Sequence, residues 1–146
     1  VANDCIPIYE PGGTLTCHAT VALTGKRFCA VAAEPLGGAQ ALVTLQSDGQ
    51  GGNIQVGMPA LNGRVLGVNN RDIPQGGKVG VLTTPGLIVP VTCSAAIAAG
   101  QEVSVDADGR IKPAAAGQMA VALCVGGTTT ANQDAAVKLY GTPRVV

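Results

Sequence analysis

Cys17 and His18 adjoin in "LTCHAT", and they are the first residues to test for chemistry. A thiol and an imidazole form a nucleophile–base pair only when their side chains face each other. Neighbours on an extended strand point to opposite faces. His18 is the only histidine in the chain. The expectation is therefore no dyad and no catalysis at this position.

Other candidates fail on spacing. "DADG" at residues 106–109 resembles a fragment of a calcium loop, but Arg110 and Lys112 follow where further oxygen ligands are needed. It reads as a turn. "TGK" at 24–26 and "GGK" at 76–78 lack the upstream glycine and the following Ser or Thr of a phosphate loop. Both lysines read as exposed turn charges. No carboxylate pair can be assigned as acid and base. The cysteines are Cys5, Cys17, Cys29, Cys93 and Cys124, with no CxxC. Zinc and redox motifs thus have no support. The thiols read as small apolar core residues, with a disulfide as the alternative. No catalytic residue, metal or cofactor is expected.

The elements that would position any site are strands. "LTCHATVALTGKRFCAVA" (15–32) alternates apolar and polar residues about Thr24-Gly25-Lys26 and reads as a hairpin. "QALVTLQ" (40–46) reads as a strand, "SDGQGGN" (47–53) as a Gly-rich tip, and "IQVGMPA" as a strand stopped by Pro59. Asn62-Gly63 marks a turn before the strand "RVLGVNN". "QMAVALCVGG" and "AAVKLYG" read as two strands joined by "TTTANQD". "TCSAAIAAG" could hold one helical turn, but no long amphipathic helix is visible.

Two segments echo each other. "IPQGGKVGVLTTPGLIVP" (73–90) and "IAAGQEVSVDADGRIKP" (97–113) share I-x-x-G-x-x-V-x-V, a turn, and G-x-I-x-P. Pro85-Gly86 and Asp108-Gly109 supply the turns, because glycine tolerates positive φ. The spacing predicts a repeated β-hairpin. Ahead of the strands, "NDCIPIYEPGG" reads as an extended arm, because Pro7 and Pro11 exclude a helix or a central strand. Its apolar Ile6, Ile8 and Tyr9 pack either on their own domain or on a neighbour.

The totals fit one domain of 146 residues: an arm over 1–13 and a single β domain over 14–146 containing the repeat. The fold expected is all-β, a small sandwich or barrel, β-tulip-like, with the arm extended. Tyr9, Phe28 and Tyr140 are the only aromatics, so Val, Leu, Ile and Ala must fill the core. Charge is sparse at 12 % and balanced, nine basic against nine acidic. That leaves no basic stripe for phosphates and argues against nucleic-acid binding. It leaves much neutral surface, which suits a subunit of an assembly. No 18-residue apolar run predicts a membrane span. The first residues lack the basic and apolar regions of a signal peptide, so synthesis and use in a cytoplasm are expected.

Four blocks in order, "PIYEPGGTLTCHATVALTGKRF", "GRVLGVNNRDIPQGGKVGVL", "GLIVPVTCSAAIAAGQEVSVDADGRIKP" and "GQMAVALCVGGTTTANQDAAVKLYG", carry a family resemblance. The chain resembles the head decoration (capsid cement) proteins of tailed bacteriophages, particularly those infecting actinobacteria. The resemblance runs from about Pro7 to Gly141 and is weakest across 34–60. It implies a non-enzymatic virion protein on the outer surface of an assembled capsid, made in the host bacterial cytoplasm. Its implied partners are the major capsid protein and itself, as homotrimers at three-fold and quasi-three-fold positions. The implied contact residues are Ile6, Pro7, Ile8, Tyr9, Glu10 and Pro11 of the arm. Two rival readings remain. One is another structural phage module (a shaft, tube or fibre) or a β-clip-like interaction domain. The other is a small enzyme using Cys17 or His18.

Overall fold

The computed structural model describes residues 14–34, 36 and 54–146. Among these there is no helix. Ten strands follow one another: β1 (Thr14–Ala19), β2 (Phe28–Ala33), β3 (Ile54–Gly57), β4 (Gly67–Asn69), β5 (Lys78–Leu82), β6 (Ile88–Thr92), β7 (Glu102–Val105), β8 (Ile111–Pro113), β9 (Met119–Gly126) and β10 (Asp134–Val145). The first five close into a barrel in the order β1-β3-β2-β4-β5. The last five form a sheet in the order β6-β10-β9-β7-β8. A single parallel bridge between Cys93 and Ile111 joins that sheet's two outer strands. The expected all-β barrel or sandwich is the observed fold.

The core is built as the composition requires. Cys17, Ala19, Leu23, Cys29, Val56, Val79 and Val81 fill the barrel. Val89, Val91, Val103, Val105, Ile111, Val137 and Leu139 lead the second cluster. Phe28 and Val68 belong to the barrel's strands yet pack in that second cluster. The only phenylalanine therefore welds the two halves.

Backbone bonds reinforce this weld. Phe28 N–H donates to Gly109 O at 2.9 Å, Thr92 N–H to Lys26 O at 2.8 Å, and Asn62 N–H to Val105 O at 2.8 Å. Two ion pairs span the same seam: Lys26 with Asp134 at 2.8 Å and Arg27 with Asp108 at 3.9 Å.

Three local expectations need correction. The segment 15–32 is not a hairpin. β3 lies between β1 and β2, parallel to the first and antiparallel to the second. Alternation specifies an extended strand, but not which strand pairs with it. The first copy of the repeat is not a hairpin either. β5 pairs with β1 and β4, whereas β6 pairs with β10 in the other sheet. Only the second copy folds back, as β7 and β8. The segment "TCSAAIAAG" holds no helical turn; Ile97 there forms a bridge to Thr128. The strand expected over 40–46 and the tip at 47–53 lie outside the described residues.

The repeat does have a structural counterpart. In the first half, Leu23 and Ile73 exchange two backbone hydrogen bonds. Gly76 donates to Ala19, Ala19 to Gly77, and Gly77 to Pro74. Lys26 donates to Asn69, and Asn69 to Arg27. In the second half, Thr128 and Ile97 exchange two bonds. Gly100 donates to Cys124, Cys124 to Gln101, and Gln101 to Ala98. Asn132 donates to Cys93, and Cys93 to Gln133. Every bond in one set has its partner in the other. The segments run in opposite order along the chain, since Leu23 precedes Ile73 whereas Thr128 follows Ile97. The two halves are built on one motif, circularly permuted.

Candidate interaction surfaces

The geometry places the described residues that were candidates for chemistry. Cys17 is fully buried, while His18, next on β1, points the other way and is partly exposed. The two sit on opposite faces, as strand alternation dictates. Burial pushes the Cys17 thiol up to about 12. Burial, and then the neighbouring Cys17, push Cys29 to about 12 as well. Neither offers a thiolate near neutrality. Cys17, Cys29, Cys93 and Cys124 are all buried and unpaired, which matches the reading of core thiols. Cys5 lies outside the described residues.

The DADG segment is a turn. Asp106 N–H donates to Arg110 O at 2.9 Å, and Gly109 N–H to Asp106 O at 3.0 Å. The Asp108 carboxylate accepts from Arg110 N and Arg110 Nε rather than facing an ion site. Its burial raises the carboxyl pKa, but the Arg110 bonds and the Arg110 and Arg27 charges outweigh that and hold it low. Among the described residues no three His, Cys, Asp or Glu side chains converge on a metal position.

The arm residues Ile6, Pro7, Ile8, Tyr9, Glu10 and Pro11 lie outside the described residues. The chain enters the barrel at Thr14, which pairs with Leu82 of β5. Apart from Val21, the exposed large apolar side chains among the described residues fall in two stretches. Val31 lies on β2, Leu36 follows that strand, and Met58 and Leu61 follow β3. Ile88, Val125, Val145 and Val146 belong to the second sheet and its end. Ile88 sits opposite Lys138 in the ladder, and Lys138 opposite Leu123. The buried Val89, Val91, Ala135 and Val137 take the inner face, so Ile88 and Pro90 with Ala136 turn outward. Alternation in "LIVPVT" carried that signal, since each outward residue stands between two buried valines or beside one.

Charged side chains on this surface are largely tied to one another. Arg144 donates to Glu102 through Nε and Nη2, and Tyr140 Oη donates to the same carboxylate at 3.1 Å. The Arg144 bond and charge, with help from Tyr140, hold the Glu102 carboxyl low. A surface of this kind can pack against another protein.

The comparisons agree with a structural role. The phage cement protein family matches over residues 9–139, nearly the whole chain. The chain belongs to that family. This cement protein is accordingly a structural component of a phage head. Among curated proteins nothing matches. Among solved structures it is similar to the N base of the head fibre gp8.5 in bacteriophage phi29, with a TM-score of 0.64 and 16% identity, over 90% of this chain and 96% of that one. At that identity the likeness establishes the fold.

Proposed function

We propose that this cement protein binds the outer surface of an assembled phage head and holds neighbouring major capsid protein subunits together. It acts as homotrimers at three-fold and quasi-three-fold positions. The arm over 1–13, through Ile6, Pro7, Ile8, Tyr9, Glu10 and Pro11, makes the contact with the capsid or a neighbour. The observation that carries the reading is the family match, which begins in the arm at Tyr9 and continues into β10. The composition supports it. A chain with only 12 % charged residues and an aromatic-poor core suits a subunit completed by partners.

The mechanism is linkage. A protein that binds the closed shell and not its dissociated subunits stabilises the shell by its binding free energy. Symmetric copies repeat that contribution over the whole head. The arm adds main-chain hydrogen bonds to an exposed partner edge, and alternate side chains set the fit.

The shared fold with a head-fibre base supports a second reading, a fibre or shaft module. Mass determination in solution, followed by cosedimentation with undecorated heads, separates the two. A closed trimer that pellets with heads to saturation is expected. Rods, or a species that ignores heads, would favour the fibre reading. Deletion of residues 1–11 should abolish attachment and leave the β domain folded by circular dichroism. Full occupancy by the truncated chain would refute the role of the arm.

A further inference from the structure

Beyond the single Cys93–Ile111 bridge the outer strands of the second sheet do not pair with each other among the described residues, and these remaining edges are where another chain could add a strand. Among the described residues three edge segments lack a ladder partner over part of their length. One is the side of β6 away from β10, and one is the side of β8 away from β7. The third is the part of β10 that runs beyond β6.

The hydrogen bonds fix which residues point out of each edge. On β6, Leu139 N–H donates to Leu87 O and Cys93 N–H to Gln133 O. Residues 87, 89, 91 and 93 therefore bond to the β10 side, and 88, 90 and 92 point outward. Thr92 confirms this, donating outward to Lys26 O at 2.8 Å. On β8, Asp106 N–H donates to Arg110 O and Ala114 N–H to Glu102 O, so 110, 112 and 114 face β7. Residues 111 and 113 point outward, and Ile111 O duly accepts from Ser94 N–H at 2.8 Å. At the end of β10, Val146 N–H donates to Gln118 O and Val146 O accepts from Gly117 N–H. Residues 144 and 146 face β9, and 143 and 145 point outward.

Pro90, Pro113 and Pro143 occupy these outward slots, one on each open edge. They are the only prolines within the ten strands. A proline at an inward slot would cost a ladder bond, so the outward orientation alone follows from compatibility. Their distribution, one per open edge, does not. On β6, with Thr92 already bonded to the barrel, an incoming strand would find Ile88 as the remaining outward N–H. On β8 the outward Pro113 has no N–H, and the outward Ile111 carbonyl is already taken.

We propose that Pro90, Pro113 and Pro143 close this sheet to strand addition, so that copies of the chain associate through faces and not through edges. A β domain of this chain then does not accept the arm of a second copy as an added strand. An arm that works by strand addition must find its edge on a different protein. This inference rests on the strand geometry and stands whether or not the chain binds a capsid.

The test restores the missing donors in the full-length chain. Pro90→Val, Pro113→Val and Pro143→Val are made singly and together, and mass is measured by light scattering across a concentration series. The parent should hold one mass, and the triple variant should shift to larger species as concentration rises. A triple variant with parental circular dichroism and parental mass throughout would overturn the proposal. A second measurement uses the unmodified chain and covers the case in which a variant fails to fold. A synthetic peptide of residues 3–13, with Cys5→Ser, is titrated into it and followed by amide chemical shifts. Absence of saturable shifts supports closed edges; saturable shifts on β6, β8 or β10 would overturn them.

Discussion

Gly109 offers the sharpest test of how the two halves meet. Five glycines have nearly the same left-handed backbone: Gly76, Gly86, Gly100, Gly109 and Gly117, with φ between 82° and 89°. Four stand in open space or near it. A Cβ would meet nothing within 4 Å at Gly76, Gly100 and Gly117, and only Lys138 Cε at 3.8 Å from Gly86. At Gly109 it would lie 2.4 Å from Phe28 O and 3.2 Å from Arg27 Cβ. Phe28 O is backbone and cannot swing aside. Its own residue donates to Gly109 O, and its ring fills the shared core.

An alanine at any of the five carries the left-handed cost of about 1–2 kcal/mol. At Gly109 the clash adds the cost of overpacking, about 1–3 kcal/mol more. Gly109→Ala should therefore lose roughly 2–5 kcal/mol in all, and the four controls roughly 1–2 kcal/mol each. At about 3 °C per kcal/mol for a chain of this size, the melting temperatures separate clearly. Urea unfolding followed by circular dichroism measures all five, at one protein concentration because association shifts apparent stability. If Gly109→Ala falls within the range of the controls, the close approach of the turn to β2 is wrong.

Further outcomes follow from the same contacts. Phe28→Ala should cost about 3–5 kcal/mol, read from the same urea transitions. Because Phe28 bridges the halves, the transition should also broaden or split. Acid should weaken the fold. The Lys26 bond and charge, outweighing burial, hold the Asp134 carboxyl below its ordinary value. Its contribution is complete above the unfolded carboxylate value of about 4 and is lost as pH falls through the lower folded value. Asp134→Asn should flatten that limb of the melting-temperature profile against pH. Alkali should weaken the fold by the reverse sign. Cys17 and Cys29 hold their protons up to about 12 in the folded chain. Their contribution is complete below the unfolded thiol value of about 8.5 and is lost as pH rises from there towards 12. Peptide mapping after thiol labelling at pH 8 should find both unmodified until urea unfolds the chain; rapid labelling in the native state would contradict their burial.

Particular residues mark what could be read from sequence. The V-x-V alternation placed β5 and β7, and the loop "TTTANQD" separated β9 from β10 as expected. The Asp108-Gly109 turn formed because those residues carry its geometry locally. Pairing across the barrel was not legible. β3 enters between β1 and β2 through contacts dozens of residues apart in sequence, and no local signal encodes such a choice. The same limit explains the first repeat copy. After β7 the chain turns tightly, with Gly109 N–H closing on Asp106 O. After β5 the corresponding Gly86 N–H instead reaches Leu139 O of β10. Both turns read alike until β10 is present to capture one of them. The repeat pattern placed Pro90 and Pro113 at equivalent positions, but their outward orientation, and that of Pro143, needed the ladder.

The permuted duplication also explains why only half of it was visible. Ile73 with Gly76 and Ile97 with Gly100 must each supply a buried or bridging side chain and a left-handed glycine, so residue types coincide at a constant spacing. Their partners contribute chiefly backbone. Leu23 and Thr128 hold the same bridge with different side chains, and Lys26 at φ 60° and Asn132 at φ 65° make the same left-handed step. A backbone requirement that several residue types meet leaves no repeated letters. Their side chains were thereby free to serve elsewhere: Lys26 pairs with Asp134 across the seam, and Asn132 accepts from Arg110 at 2.7 Å. The slot in the first half thus faces a charge of the other half, whereas its equivalent in the second half binds Arg110 of its own. One motif used twice, in opposite chain order, gives two units whose turns meet, and the closed seam leaves faces and guarded edges as the surfaces available to a partner.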